Sequence, residues 1–361
     1  MMKTLFTPLL LAVVFASASR AADPFELKPN DRVVFIGDAL VERDTAYNYL
    51  ETMLTVRYHG KGVTFRNIGW SGDTVWGESR AVFGQQKDGY NALIKAINET
   101  RPTVVFLNYG MNESFAGAAG LAHFEEGYNA LLDNVLDPAK DAQYVAAPPA
   151  QAKDRRNPKE ELAPAAAEKR PVPRVVLVSP IAFQTDEANA LSKNVKQNEN
   201  LKLYSEAIKK LAEKRGALFI DMFSHFGGGT LHKRARLTSD GMHLNAEGYK
   251  FYAAGVETAL GLKPAAWKFK SVDAGEYEPV NKPAEEAKQQ PPIEKLRELI
   301  EAKNLQFFNK WRPQNETYIF LFRKREQGKN AKEIPEFDPF ITSKEAEIGR
   351  LADDVVKGLG L

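Results

Sequence analysis

The sequence predicts an α/β protein built on an open, doubly wound parallel sheet. Three observations lead there. Five short runs rich in β-branched and aromatic residues recur between Arg32 and Asp221. Each is nearly continuously apolar, the pattern of strands covered on both faces. Helix-like patterns separate them, an alternation that favours parallel strands joined by crossover helices.

In chain order the expected strands are 32–36, 63–68, 103–108, 174–179 and 217–221. The expected helices between and after them are 45–58, 89–100, 121–136, 198–214 and 245–260. In such sheets ligands bind outside the C-terminal ends of the strands, and there the sequence turns polar and loop-prone. Gly37-Asp38-Ala39 follows the first strand, Gly69-Trp70-Ser71-Gly72-Asp73-Thr74 the second, and Tyr109-Gly110-Met111-Asn112-Glu113 the third. Asp240 and His243 lie in the last long loop. Four segments distant in sequence are thus expected to meet at one rim.

Asp240-Gly241-Met242-His243 carries the clearest chemistry. A carboxylate three residues before an imidazole is placed to hold that ring in one tautomer, as the base-and-orienter half of a hydrolytic triad. The other four histidines, His59, His123, His225 and His232, show no comparable setting. No His, Asp or Glu group has metal-site spacing, so no metal and no cofactor are expected. Gly227-Gly228-Gly229 lacks the strand–turn–helix context of a phosphate-binding loop.

These blocks together resemble the SGNH hydrolases, the GDSL esterase and lipase superfamily, over roughly residues 30–262. The family's Gly-Asp-Ser-Leu stands here as Gly37-Asp38-Ala39-Leu40. Its oxyanion-hole glycine matches Gly72, its Gly-x-Asn-Asp matches Gly110-Met111-Asn112-Glu113, and its Asp-x-x-His matches Asp240 and His243. The resemblance implies a three-layer αβα sandwich with a five-stranded parallel sheet. It implies ester hydrolysis, with the Gly72 backbone and the Asn112 side chain as oxyanion donors and Asp240 and His243 as catalytic residues. The ligand it implies is a small ester or an acylated carbohydrate.

Ala39 departs from the pattern. It occupies the nucleophile position and has no nucleophilic atom, so the acyl-enzyme route has no starting point there. Loss of a triad serine in a well-studied protease costs on the order of a million-fold in turnover. Three alternatives stay open: water activated directly by His243, Ser71 as a displaced nucleophile, or Asp38 as a carboxylate nucleophile. A fourth reading is a catalytically silent relative that binds an acylated glycan or a partner protein in the old cleft. Trp70 and Trp76 bracket the Gly72 loop and are candidate substrate-binding residues, with buried packing the commoner fate of tryptophan.

Residues 1–21 read as a secretory signal, with Lys3, an apolar run from Leu5 to Phe15, and Ser19-Arg20-Ala21 at the cleavage region. That run is too short to span a bilayer. An exported protein, periplasmic or extracellular, is expected, with no membrane span. The chain has no cysteine, which excludes disulfides and thiolate metal sites. Lys3 and Arg20 are the only charges in the signal, so the 49 basic residues become 47 against 47 acidic. A neutral balance gives no support for nucleic-acid binding. Nothing in the sequence speaks to oligomeric state.

The expected organisation is a signal at 1–21, a core domain at 22–262, a linker at 263–292 and a mainly helical extension at 293–361. An Ala-, Pro-, Lys- and Glu-rich stretch at 146–173 has no hydrophobic period and reads as a flexible insertion. Trp311 and the segment 318–322 are expected to pack the extension onto the core.

Overall fold

The structure is a computed structural model that describes residues 25–137, 170–184, 195–229, 236–263, 265, 267–269, 291–326 and 330–359. The expected signal at 1–21 lies outside those residues, as do most of the 146–173 insertion and most of the 263–292 linker.

Five strands form one sheet: β1 (Arg32–Gly37), β2 (Thr64–Asn67), β3 (Val104–Asn108), β4 (Arg174–Val178) and β5 (Leu218–Ile220). Their order is β2-β1-β3-β4-β5 and every pairing is parallel. The helices are α1 (Ala39–Asp44), α2 (Tyr49–Arg57), α3 (Gln86–Thr100), α4 (Gly117–Leu136), α5 (Val195–Arg215), α6 (Met222–His225), α7 (Ala246–Ala259), α8 (Pro292–Trp311), α9 (Glu316–Ile319) and α10 (Phe337–Leu359).

Successive strand residues point to opposite faces, and both faces are covered. Val33 and Phe35 enter the core shared with Met53 of α2 and Val256 of α7. Val34 and Ile36 enter the other, with Leu93 of α3, Leu131 of α4 and Ile208 of α5. The result is a three-layer αβα sandwich, which explains why the strands read as unbroken apolar runs. Each fully buried aliphatic side chain contributes about 1.5–3 kcal/mol. β2 and β3 flank β1 on either side, so the chain changes direction beside β1. A crevice opens at such a switch point.

The helix expected at 45–58 starts only at Tyr49. Asn48 takes a left-handed conformation with φ 57°, and its side-chain amide donates to the Thr45 carbonyl at 2.7 Å. Upstream, α1 begins directly after β1, because the Asp38 carboxylate caps it by accepting the Leu40 N–H at 3.0 Å.

The C-terminal helices pack on the outer side of α2. Ile293, Leu296 and Ile300 of α8 meet Ile348, Ala352 and Val355 of α10 and Val56 of α2. A buried polar group fixes the register. Lys303 donates to Glu51 at 2.5 Å and to the Phe65 carbonyl at 3.1 Å, and Asn304 donates to Asn48 at 2.7 Å.

Candidate active site

A pocket opens at the C-terminal edge of the sheet, with about 330 Å³ of empty space including its mouth. Asp38, Ala39 and Leu40 line it from the β1–α1 junction, and Asn108, Met111 and Asn112 from the end of β3. Pro180 and Ile181 come from the end of β4, and Met242 and His243 from the loop before α7. Ala39, Asn112 and His243 therefore share one wall system, although 204 positions separate the first from the last.

The Asp240–His243 turn is built from within. Asp240 Oδ1 accepts the backbone N–H groups of Met242 at 3.1 Å and of His243 at 2.9 Å. Its Oδ2 lies 2.5 Å from His243 Nδ1. Burial pushes the Asp240 carboxyl up, but hydrogen bonds from the His243 ring and from the two backbone N–H groups outweigh it and hold the group below its ordinary range. An ionised carboxylate on Nδ1 favours the tautomer that presents Nε2 as the basic nitrogen.

Ala39, expected at the nucleophile position, is the first residue of α1 and lines the pocket with its methyl group. The neighbouring Asp38 is 3% exposed. Burial raises its carboxyl to about 7, against the N–H bond from Leu40 and with the charge of Asp73 adding to the rise. Ser71, the displaced-nucleophile alternative, is exposed and does not line the pocket; its backbone N–H donates to Glu42.

The turn that carries Gly72 does not line the pocket. Gly72 is exposed and has φ +76°, a left-handed conformation that suits glycine. Gly69, just before, is required for packing: a Cβ there would come 2.4 Å from the Glu42 nitrogen. The Asn112 side chain donates to the Asp73 carbonyl at 2.7 Å, which ties it to the residue after Gly72. Glu113 locks the two loops together, accepting the Val75 N–H at 2.9 Å and the Gly110 N–H at 3.0 Å. Burial pushes its carboxyl up to about 8, against those N–H donors. Glu113 stands where the resembled family has aspartate, and its extra methylene lengthens the reach towards Val75.

The tryptophans are engaged elsewhere. Trp70 meets Trp311 edge-on, with ring centroids 5.9 Å apart, and carries the Arg312 guanidinium 3.5 Å from its ring centre. Trp76 stacks on His123 at 4.9 Å and lies against Gly127 of α4. Neither lines the pocket. Trp311 packs the C-terminal extension onto the core, and the 318–322 segment joins it: Ile319 is buried, and Phe322, although 76% exposed, meets Phe83 edge-on with ring centroids 6.1 Å apart.

Sequence reasoning missed the apolar walls, Met111, Pro180, Ile181 and Met242. The rule that sites gather at strand C-termini pointed to Pro180-Ile181, one residue beyond β4, but no polar side chain of their own marked them. It also missed Glu42 and Arg80, whose partners are fixed only by tertiary contact. Among the described residues, no group of three or more His, Asp or Glu side chains is placed to hold a metal ion. Among the same residues, no helix is long and apolar enough to cross a membrane.

An all-parallel five-stranded sheet with helices on both faces and a pocket at its C-terminal edge defines an α/β hydrolase-like protein. The model of the GDSL-like lipase/acylhydrolase family matches residues 35–251, and the chain belongs to that family. It is an ester hydrolase-like protein. Similar solved structures include the acetylxylan esterase Axe2 from Geobacillus stearothermophilus, 15% identical over 66% of this chain and 98% of that one, with a TM-score of 0.46. Others are an acetyl xylan esterase, AlAXEase, at 20% identity over 63% and 98% with a TM-score of 0.42, and an alpha/beta hydrolase from the metagenome of Lake Arreo, Spain, at 17% over 65% and 97% with a TM-score of 0.42. No curated protein sequence matches the chain.

Proposed function

We propose that the protein is an exported acylesterase of small esters or acylated carbohydrates that works without a serine nucleophile. A short acyl group enters the pocket beside Ala39. His243 Nε2 takes a proton from a water molecule, and the water oxygen attacks the acyl carbon directly. The resulting oxyanion is met by the Gly72 backbone N–H and the Asn112 side-chain amide. The carbon–oxygen bond to the alcohol then breaks, and the imidazolium returns the proton to the leaving oxygen. Asp240 balances the imidazolium charge throughout.

The observation that carries this reading is the Nδ1–Oδ2 contact of 2.5 Å on a ring that lines the same pocket as Ala39. A methyl group in place of a hydroxymethyl leaves room for about one oxygen atom, the size of the attacking water. The apolar walls suit a short acyl chain. The glycan part of the reading has no tryptophan platform at the pocket to support it, so small esters are the better probes.

A second reading has its own observation. Ala39 removes the only side chain with which the family forms a covalent intermediate, which favours a silent protein that binds an acylated glycan or a partner protein in this cleft. Aryl acetate turnover by the full chain and by a His243→Ala variant separates the two. Turnover that disappears with the imidazole supports direct water attack. No turnover in the native chain, with retained binding of an acetylated oligosaccharide measured by calorimetry, supports the silent protein and sinks the esterase.

A further inference from the structure

We infer that the C-terminal extension is a positioning element of the pocket, with Arg312 acting through Glu42 and Trp70 to hold the Ser71–Gly72 turn. The inference rests on the reading of Gly72 and Asn112 as oxyanion donors.

Arg312 directly follows α8. Its guanidinium donates to Glu42 Oε1 at 2.7 Å and lies flat enough on Trp70 to bring Cζ within 3.5 Å of the ring centre. Glu42 belongs to α1, one turn beyond Ala39. Its second oxygen accepts the backbone N–H of Ser71. One carboxylate thus joins the helix that starts at Ala39, the turn that carries Gly72 and the extension. Trp70, the residue before Ser71, is held from below by its own N–H on the Gly37 carbonyl at 2.9 Å and from above by Trp311.

A second line of contacts reaches the other donor. Arg80 is buried, with its guanidinium 5.5 Å from the Trp70 ring centre and 5.9 Å from that of Trp311. It donates to Asp73 Oδ2 at 2.6 Å and to the Ile68 carbonyl at 2.9 Å. The Asp73 backbone carbonyl is the acceptor of the Asn112 amide. The two tryptophans and the two arginines form one cluster, with Trp311 and Arg312 from the extension and Trp70 and Arg80 from the core.

Ion pairs at partly exposed positions are weak alone. Here the Arg312 and Glu42 side chains are 25% and 21% exposed, and the guanidinium over Trp70 adds a cation–π contact. Such a strap has a local effect: it suppresses opening of a turn whose Ser71 and Gly72 are exposed. Positioning errors in oxyanion donors appear in turnover more than in ground-state binding.

The test is hydrogen exchange on the full chain, comparing the native protein with Arg312→Met and with Glu345→Gln. Glu345 pairs with Arg66 at 2.6 Å elsewhere on the extension, so its loss loosens packing without touching Trp70. Arg312→Met is expected to speed exchange in the 70–74 segment about tenfold, the loss of one charge-assisted hydrogen bond, with Glu345→Gln close to native there. Glu42→Gln carries the same test should Arg312→Met fail to fold. In an Ala39→Ser background on an aryl acetate, Arg312→Met is expected to lower kcat about tenfold with KM within about twofold, and Arg312→Lys to recover part of the loss. Unchanged exchange at 70–74, or an equal rise in Glu345→Gln, overturns the strap. An inactive Ala39→Ser background counts against Gly72 and Asn112 as oxyanion donors alone, since the exchange result still decides the strap.

Discussion

Asp240 grips its own histidine twice: Oδ1 accepts the backbone N–H of His243 at 2.9 Å while Oδ2 lies 2.5 Å from the Nδ1 of the same residue. The turn and the tautomer are therefore set by one carboxylate, and neither oxygen is spare.

That double role makes Asp240→Asn informative. The amide preserves shape and can still accept from the backbone, but it no longer favours the Nδ1–H tautomer or balances an imidazolium. In any background that turns over an aryl acetate, the substitution is expected to cost on the order of 10³–10⁴ in kcat. Thermal unfolding should shift little by comparison. A loss under tenfold would remove the imidazole from the chemistry.

Asp44 offers a pH prediction. It is buried with Oδ1 unpartnered, and burial together with the nearby charge of Glu51 pushes its carboxyl up to about 7. In the unfolded chain the group titrates near about 4. Between those values the folded chain keeps a proton that the unfolded chain has released. The associated stability is complete below the lower value and is lost as pH rises through the upper one. Asp38, at about 7, and Glu113, at about 8, act in the same direction. Asp44→Asn should match the native chain near about pH 4 and exceed it by roughly 1–3 kcal/mol near about pH 8. Urea unfolding at both values checks this, and equal stability at the higher pH would contradict it.

The Lys303–Glu51 pair ties α8 to α2, with side chains 1% and 6% exposed. Lys303→Met leaves a buried carboxylate without its cation and should cost about 3–5 kcal/mol. Adding Glu51→Met should recover most of that, because two apolar groups then replace two charges. Denaturant midpoints of the single and double variants test the pair. A double variant no better than the single one would show that the amide of Asn304, which also donates to Glu51 at 2.8 Å, depends on that carboxylate more than the lysine does.

Much of the architecture was legible because it follows from local pattern. Doubly covered strands must be apolar throughout, and β1 to β5 read that way. The polar loops Asp38-Ala39, Asn112-Glu113 and Asp240 to His243 advertised themselves by interrupting those runs. What stayed hidden depends on long-range contact. Trp70 looked available to a ligand because its partners, Trp311 and Arg312, lie some 240 positions away. The late start of α2 turns on one left-handed residue, Asn48, inside a helical pattern. Ile181 and Met242 carry no periodic or chemical signature, and only the pocket reveals them.

The most direct measurement of the central claim is intact-mass analysis of Ala39→Ser and Ala39→Ser/His243→Ala chains mixed with an aryl acetate. If position 39 faces an imidazole base and oxyanion donors, the first chain acquires one acetyl group at that position and the second acquires none. Absence of the adduct from the first chain, or its equal formation in both, would contradict the account.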